Sequence, residues 1–201
     1  TVATELFKAA WQWDNERLTA AAAQIPAGAD GLVLLPYFEG ERTPNLPAAS
    51  GMYCGFTARN FTAAHMARAT LEGVALGLNY GLDRLKDLGL RPKQIRVTGG
   101  GSKNPLWRQI LADVFDAEVI GLATAEGAAY GAAIQAKWQH ATAHGERVRI
   151  QQLTDAFVKT EAGTRATPNR KHLKLYKHLQ LCHNKLSAAN APVFAELAAC
   201  R

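Results

Sequence analysis

The spacing of hydrophobic residues changes between two periods in the middle of the chain. At 94–98 and 118–122 apolar and β-branched residues stand close together, as in short strands, whereas at 105–116 they recur at helical spacing. This strand–helix–strand order predicts an α/β domain in which helices pack on a mixed sheet.

The first fifty-odd residues contain further predicted elements. A helix is predicted at 4–23, and its candidate apolar face consists of Leu6, Phe7, Ala10, Trp11 and Leu18. Short strands are predicted at Gly31–Leu35 and Gly51–Phe56, on either side of a loop at 36–50 that is rich in prolines and charges.

Two more helices are predicted from capping residues and composition. One runs from about Ala63 to Leu88, because Thr62 is a suitable N-cap and Gly89 suits a helix C-terminus. The other runs from Thr124 to about Gln139 and is rich in alanine and glycine, so that it can lie close to a sheet or to a second helix. The polar residues 140–165 are interpreted as a surface excursion within one domain.

Length and composition narrow the class of protein. The chain of 201 residues suffices for one large domain or two small ones, and 48% of it is hydrophobic, which allows a substantial core. It begins with Thr and opens directly into an amphipathic pattern, so we expect a fragment or one domain of a longer protein. No apolar run approaches the roughly 20 residues that span a bilayer. The three cysteines lack metal-ligand spacing and favour a reducing cytoplasm.

The net charge of +6 is concentrated late in the chain. Basic residues in a predicted helix at 168–187 alternate with apolar residues at helical spacing, which is typical of the solvent-facing side of an amphipathic helix. A nucleic-acid site is the less favoured alternative. A positive surface would also attract anionic substrates such as ATP.

The run from Val97 to Pro105 carries the candidate chemistry. It predicts the end of a strand, a glycine turn, and a helix that begins with Asn104 as N-cap and Pro105 at the first position. Such a turn lets backbone N–H groups and the helix dipole face a bulky polar ligand, and nucleotides are the usual ligands. On this motif alone, a tight strand–helix turn without a ligand is an equal alternative. The run is neither a P-loop nor a GxGxxG fingerprint, because Lys103 precedes a helix-opening proline and the third glycine is misplaced.

Three stretches together resemble the C-terminal domain of the FGGY carbohydrate kinases, and most closely the xylulokinase members of that family. They are 35–44, then 51–56 with 65–72 at the spacing of the family's second signature, and the glycine run at 99–104. The resemblance covers roughly residues 1–140 in order and in spacing.

The resemblance implies a fold of the ribonuclease H-like, actin-like ATPase type, an α/β fold with a mixed sheet flanked by helices. Residues 1–201 would form the second, nucleotide-binding domain, with 166–201 as its helical extension. The N-terminal sugar-binding domain, with the catalytic aspartate and the Mg²⁺ ligands, would precede this chain. By itself the chain is then expected to be inactive.

The implied activity is transfer of the ATP γ-phosphoryl group to D-xylulose, giving D-xylulose 5-phosphate, with ATP and Mg²⁺ in a cytoplasmic enzyme. The implied partners are the sugar, ATP and the protein's own N-terminal domain, and a second copy is a further candidate because family members often dimerise. Nucleic acid and membranes are not expected partners. The alternatives are a sibling kinase acting on L-ribulose, gluconate or glycerol, and a non-catalytic nucleotide-binding module of the actin-like superfamily.

The resemblance assigns six residues to the nucleotide: Gly99, Gly100, Gly101, Ser102, Asn104 and Gln12. Gly100 and Asn104 match the family positions that contact the adenine and ribose end. Gln12 aligns with a family glutamine near the nucleotide, although Lys8 stands where the family usually has glycine. No catalytic residue and no metal ligand is assigned to this chain.

Other polar and aromatic residues are given structural roles. His65 is expected to cap or pack a helix, and Glu72 is expected to be a buried carboxylate that hydrogen-bonds a neighbouring strand or loop. Arg42 is a candidate for stabilising phosphate charge. Asp113 and Asp116 are expected on a helix surface. The tryptophans are expected in the core; they are Trp11, Trp13, Trp107 and Trp138.

Overall fold

The computed structural model describes residues 1–124 and 126–200, and the chain divides into two units. The first unit contains Thr1–Arg91, Asp113–Asp116 and the chain from Pro168 onwards. The second contains Pro92–Ala112 and Ala117–Thr167.

Seven helices and four strands are described, in the order α1 Val2–Trp11, α2 Asn15–Ala23, β1 Val33–Leu35, β2 Met52–Cys54, α3 Ala63–Asp87, β3 Gln94–Val97, α4 Pro105–Phe115, β4 Glu118–Gly121, α5 Gly127–Ala143, α6 Ile150–Phe157 and α7 Leu173–Ala198. The first unit holds α1 to α3, both early strands and α7, whereas β3, β4, α5, α6 and most of α4 form the second. The predicted α/β class is confirmed.

The strands pair in both orientations, in two separate sheets within the described residues. In the first unit β1 and β2 are antiparallel, with Leu35 opposite Met52. In the second unit β3 and β4 are parallel, with Gln94 opposite Glu118. Helix α4 connects the two parallel strands, as the strand–helix–strand order predicted. Val119 and Ile120 of β4 are fully buried.

The predicted helix at 4–23 is wrong in one respect, because the structure has two helices there. Gln12 ends α1 with a left-handed backbone, at a φ of 52°. Asp14 then caps α2, where its carboxylate accepts a hydrogen bond from the Arg17 N–H at 2.7 Å. The side-chain cap offers the backbone an alternative to a continuous helix. The spacing of apolar residues carries no information on such a cap, so it predicted one helix.

The C-terminal boundaries also differ from prediction. The basic helix starts at Leu173 and continues through Pro192 to Ala198, where 168–187 was predicted. The stretch 140–165, interpreted as a polar surface excursion, contains α6. The predicted start of α5 at Thr124 is displaced to Gly127, and Ala125 lies outside the described residues.

The predicted cap of the long helix α3 is confirmed. Thr62 Oγ1 accepts a hydrogen bond from the His65 N–H at 3.2 Å. Gly73 lies in the interior of this helix because β1 approaches it closely. A Cβ at Gly73 would lie only 2.4 Å from the Leu34 carbonyl oxygen. The small residue therefore lets α3 and the first sheet come into contact.

The prediction that the tryptophans are core residues is wrong, since none of the four is fully buried. Trp11 is 44% exposed, and it forms an aromatic cluster with the half-buried Trp13 and with Phe7, which is 6% exposed. The core there is built from smaller side chains around Tyr37 and Phe194, which are 1% and 2% exposed.

A buried ion pair joins three segments of the first unit. Glu72 Oε1 accepts hydrogen bonds from Arg68 Nε at 2.7 Å, from the Tyr176 hydroxyl at 2.7 Å and from the Gly28 N–H at 2.9 Å. Burial and the Glu72 charge raise the pKa of Tyr176, so its hydroxyl stays protonated and donates. The prediction of a buried carboxylate that holds a loop is confirmed.

Asp113 is not on the surface, so its predicted position is wrong. Asp113 is only 3% exposed. Its Oδ1 accepts a hydrogen bond from the Asn169 N–H at 2.8 Å, and its Oδ2 lies 2.7 Å from His172 Nδ1. Helical spacing could not reveal this, because the covering chain comes from more than fifty residues later. Asp116 is exposed as predicted, just beyond the end of α4.

We expect Glu72→Leu to lower the free energy of unfolding by about 3–5 kcal/mol, because it leaves Arg68 buried without its carboxylate. The double variant Arg68→Met/Glu72→Leu should be more stable than the sum of the single losses, since it buries no charge. Chemical denaturation of the complete protein that carries this chain measures both. Glu5→Leu is the matched control, because the Glu5 side chain, which pairs with Lys8, is 67% exposed. A Glu72→Leu loss as small as that of the control would contradict the assignment.

Acid should destabilise the protein through His183. This side chain is fully buried against the ring of Tyr37, neither ring nitrogen has a hydrogen-bond partner among the described residues, and burial lowers its pKa from 6.5 to about 4. The unfolded state therefore takes up the proton first, and this contribution to stability is present above pH 6.5 and lost as the pH falls from there towards 4.

The expected loss from this single group is at most about 3 kcal/mol in the free energy of unfolding. His183→Met, which cannot titrate, should give a flatter profile between pH 7 and pH 4 than the unmodified protein in urea denaturation. His178→Met, at an exposed position of the same helix, is the control. Identical pH profiles for the protein and His183→Met would refute the prediction.

Candidate functional site

The glycine run forms a tight turn between β3 and α4 in the second unit. Gly99 leaves the strand with a φ of 84° and a ψ of −178°, a conformation that suits glycine. One turn of 3₁₀ helix, Gly100–Lys103, follows. The N–H and the hydroxyl of Ser102 both donate to the Gly99 carbonyl, at 3.1 and 2.7 Å, and close the turn.

Asn104 begins α4, as predicted. Its Oδ1 accepts a hydrogen bond from the Trp107 N–H at 3.2 Å, and Pro105 occupies the first helical position. The indole of Trp107 lies beside the turn, where a Cβ at Gly101 would lie 3.4 Å from Nε1. The predicted strand, glycine turn and capped helix are thus all present.

One side of the turn is open. Among the described residues, a Cβ at Gly99 or at Gly100 would meet no atom within 4 Å. The φ of Gly100, unlike that of Gly99, is not positive. A ligand can therefore approach the backbone of Gly100 directly, and the conformation of the protein alone does not require a glycine at this position.

Arg108 lies beneath the turn and is a residue that the sequence analysis did not single out. Its side chain is 9% exposed, and its Nη1 donates to the Ser102 carbonyl at 2.6 Å. An arginine within an amphipathic helix is ordinarily assigned to the solvent-facing side, so the sequence carried no signal of this contact.

The start of α5 lies against the strand that leads into the turn. A Cβ at Gly127 would lie 2.7 Å from Thr98 Cγ2, so the missing side chain leaves room for the side chain of Thr98. Both α4 and α5 therefore begin near the carboxyl end of β3. Helix N-termini carry partial positive charge, which favours an anionic ligand at this end of the sheet.

The remaining candidate residues have other positions or roles. Gln12 is exposed in the first unit, whereas the glycine turn belongs to the second, so its nucleotide assignment stays a prediction. His65 lies in the first turn of α3, where Nδ1 is 2.8 Å from Oγ1 of the N-cap Thr62 and Nε2 is 3.1 Å from Asp30 Oδ2. Arg42 is exposed, and its N–H donates to the Glu41 carboxylate at 2.8 Å.

Within residues 1–124 and 126–200, no group of three or more His, Cys, Asp or Glu side chains is placed to hold a metal ion. The described helices also include none with the length and apolar composition needed to cross a membrane.

Comparisons with known proteins identify what this chain is similar to. The sequence profile of the FGGY family of carbohydrate kinases, C-terminal domain, matches residues 3–140. A xylulose kinase of Haemophilus influenzae is 41% identical over 165 residues, which cover 82% of this chain and 32% of that protein. A gluconokinase of Bacillus licheniformis is 32% identical over 183 residues, covering 90% of this chain and 34% of that protein. The chain thus spans about a third of the length of these curated relatives.

Solved structures give the same result. The crystal structure of a xylulose kinase from Rhodospirillum rubrum superimposes with a TM-score of 0.75 at 34% identity, covering 96% of this chain and 38% of that one. A ligand-bound xylulose kinase from Lactobacillus acidophilus gives a TM-score of 0.82 at 24% identity, covering 92% and 36%, and shows the fold alone.

The two leading glycines of the turn should respond differently to alanine. Gly99→Ala should lower the free energy of unfolding by about 1–3 kcal/mol, because a side chain is strained in the backbone conformation found there. Gly100→Ala is the matched control and should change it by less than about 0.5 kcal/mol, since its Cβ enters open space. Denaturation of the two variants in parallel measures the difference, and equal losses would contradict the described turn.

Proposed function

The chain belongs to the FGGY family of carbohydrate kinases, and we propose that it is the nucleotide-binding part of an ATP-dependent kinase that phosphorylates D-xylulose. Its α/β fold is of the ribonuclease H-like, actin-like ATPase type. The observation that carries the proposal is the glycine turn between β3 and α4, whose backbone is open at Gly100 and has two helix N-termini beside it. A nucleotide combines a flat base and an anionic chain, and both suit such a place.

The turn is proposed to bind the adenosine end of ATP. Gly100 gives the base and ribose close access to the backbone, and Asn104 holds the following helix in register. Gly99, Gly101 and Ser102 keep the turn in shape. The assignment of Gln12 to the nucleotide stays a prediction from the family resemblance. Family membership and the open face of Gly100 support this assignment.

In the proposed reaction an oxygen of a D-xylulose hydroxyl attacks the γ-phosphorus of ATP. The bond from that phosphorus to the bridging oxygen of ADP breaks, and the hydroxyl proton passes to a base. That base is expected to be an aspartate of the N-terminal domain that the relatives' greater length implies. Among the described residues no group of three or more His, Cys, Asp or Glu is placed to hold a metal ion, and the Mg²⁺ ligands are proposed to come from the N-terminal domain. The contribution of this chain is therefore positioning, which is a large part of catalysis in phosphoryl transfer.

The choice of D-xylulose rests on the xylulose kinase of Haemophilus influenzae, at 41% identity. A second candidate is gluconate, because the Bacillus licheniformis gluconokinase is 32% identical over a larger share of this chain. The further proposed partners are the protein's own N-terminal domain and a second copy of the chain, in a cytoplasmic enzyme.

ADP release by the complete protein tests the function. The assay uses ATP and Mg²⁺ with D-xylulose, L-ribulose, gluconate or glycerol in separate reactions. The proposal expects the highest kcat/KM with D-xylulose. A preference for gluconate would support the kinase activity but contradict D-xylulose as the substrate. ATP binding without sugar-dependent ADP release would instead favour a non-catalytic nucleotide-binding module.

We expect Gly100→Val to raise the KM for ATP by at least about tenfold while the KM for the sugar stays within about twofold. The valine side chain enters a space that is empty in the protein and is proposed to hold the nucleotide. A loss of 1.4 kcal/mol of binding energy suffices for a tenfold change. Gly131→Val, on α5 and also facing open space, is the steric control. An unchanged KM for ATP would refute the nucleotide assignment of the turn.

A further inference from the structure

We propose that Arg108 is a positioning residue for nucleotide binding: its buried guanidinium braces the Ser102 carbonyl and holds the glycine turn in the shape that receives the ligand. The inference rests on the proposed function, because it assumes that the turn binds a nucleotide. It adds a residue that belongs to α4 and lies outside the glycine run itself.

The contact is short, buried and specific. Arg108 Nη1 donates to the Ser102 carbonyl at 2.6 Å, which links the helix to the last part of the turn. The residue is 9% exposed, and its buried Nε has no hydrogen-bond partner among the described residues. None of the ion pairs found among the described residues includes Arg108.

Such an arrangement is costly for stability alone. A buried charge needs an opposite charge or a full set of hydrogen bonds, and Arg108 takes part in none of those ion pairs and leaves one N–H unpaired among the described residues. An apolar side chain in the same position would avoid this cost. The hydrogen bond to the turn therefore points to a role in fixing the turn, and this role explains why an arginine is buried here despite the unfavourable desolvation.

The turn has a specific need for such a brace. Gly99, Gly100 and Gly101 follow one another, and glycine has more backbone freedom than any other residue. A hydrogen bond to the Ser102 carbonyl fixes the plane of the peptide that follows, because the peptide group is rigid. The three glycines are then anchored at one end by β3 and at the other by Arg108. A turn that is ordered before binding loses less entropy when the ligand arrives.

The test uses the complete protein with Arg108→Met, which keeps the apolar length of the side chain and removes its charge and donors. We expect the Kd for ATP in calorimetry, and the KM for ATP, to rise about tenfold, in line with the loss of one charge-assisted hydrogen bond. The KM for the sugar should stay within twofold. Arg108→Lys keeps a donor for the carbonyl, and we expect its Kd to lie between those of the wild type and Arg108→Met.

Arg96→Met is the matched control, because Arg96 is an exposed arginine of β3 in the same unit. It removes the same charge and should leave both KM values unchanged. A general structural defect in Arg108→Met would raise the KM for the sugar in parallel and would overturn the positioning role.

Wild-type affinity for ATP in a folded Arg108→Met variant would also overturn the inference. Should that variant fail to fold, Arg108→Lys decides by itself, and an unchanged Kd would count against the brace. Failure of the proposed function is distinguishable, because the wild-type protein would then bind no ATP.

Discussion

The first unit depends on one oxygen atom, Glu72 Oε1. It accepts hydrogen bonds from α3 through Arg68, from α7 through Tyr176 and from the loop before β1 through Gly28. A carboxylate this deeply buried is tolerable only when its charge is matched, and here a cation and two neutral donors match it. The same contacts fix where the last helix docks on the long one. The ion pair thus sets the arrangement of elements far apart in sequence, which apolar contacts alone would leave less specific.

The second unit also buries a charged side chain, but there the charge is positive. Around Glu72 an anion collects donors, whereas beneath the glycine turn a buried cation, Arg108, holds a backbone carbonyl and leaves one of its own N–H groups unpaired. The hydrogen bonds around Glu72 match its charge, and their contribution to stability explains them. Arg108 has a buried N–H without a partner among the described residues, and incompletely satisfied buried polar groups are typical of sites under a functional constraint.

Local chemistry made part of the fold predictable from sequence. The caps Thr62 and Asn104 act on residues three positions away, so the beginnings of α3 and α4 were predicted correctly. The glycine turn was predictable for the same reason, because its strand, its glycines and its capped helix are adjacent in the sequence. What failed was non-local: Asp113 is buried by a segment more than fifty residues later, and Arg108 turns inward to a carbonyl. Periodicity reports which face of a helix is apolar, but it does not report which polar side chain finds a buried partner.

The glycines of the turn separate what the fold requires from what a ligand requires. Gly99 has a positive φ, so the protein itself accounts for a glycine there, whereas a Cβ at Gly101 would make an ordinary contact with the Trp107 indole. Gly127 is explained by close packing. Gly100 has neither a positive φ nor a neighbour within 4 Å, and glycine there costs backbone entropy on folding. Gly131 shares both properties, so among the described residues the fold alone does not require glycine at position 100. Under the proposed function, a nucleotide bound close to the backbone would require it.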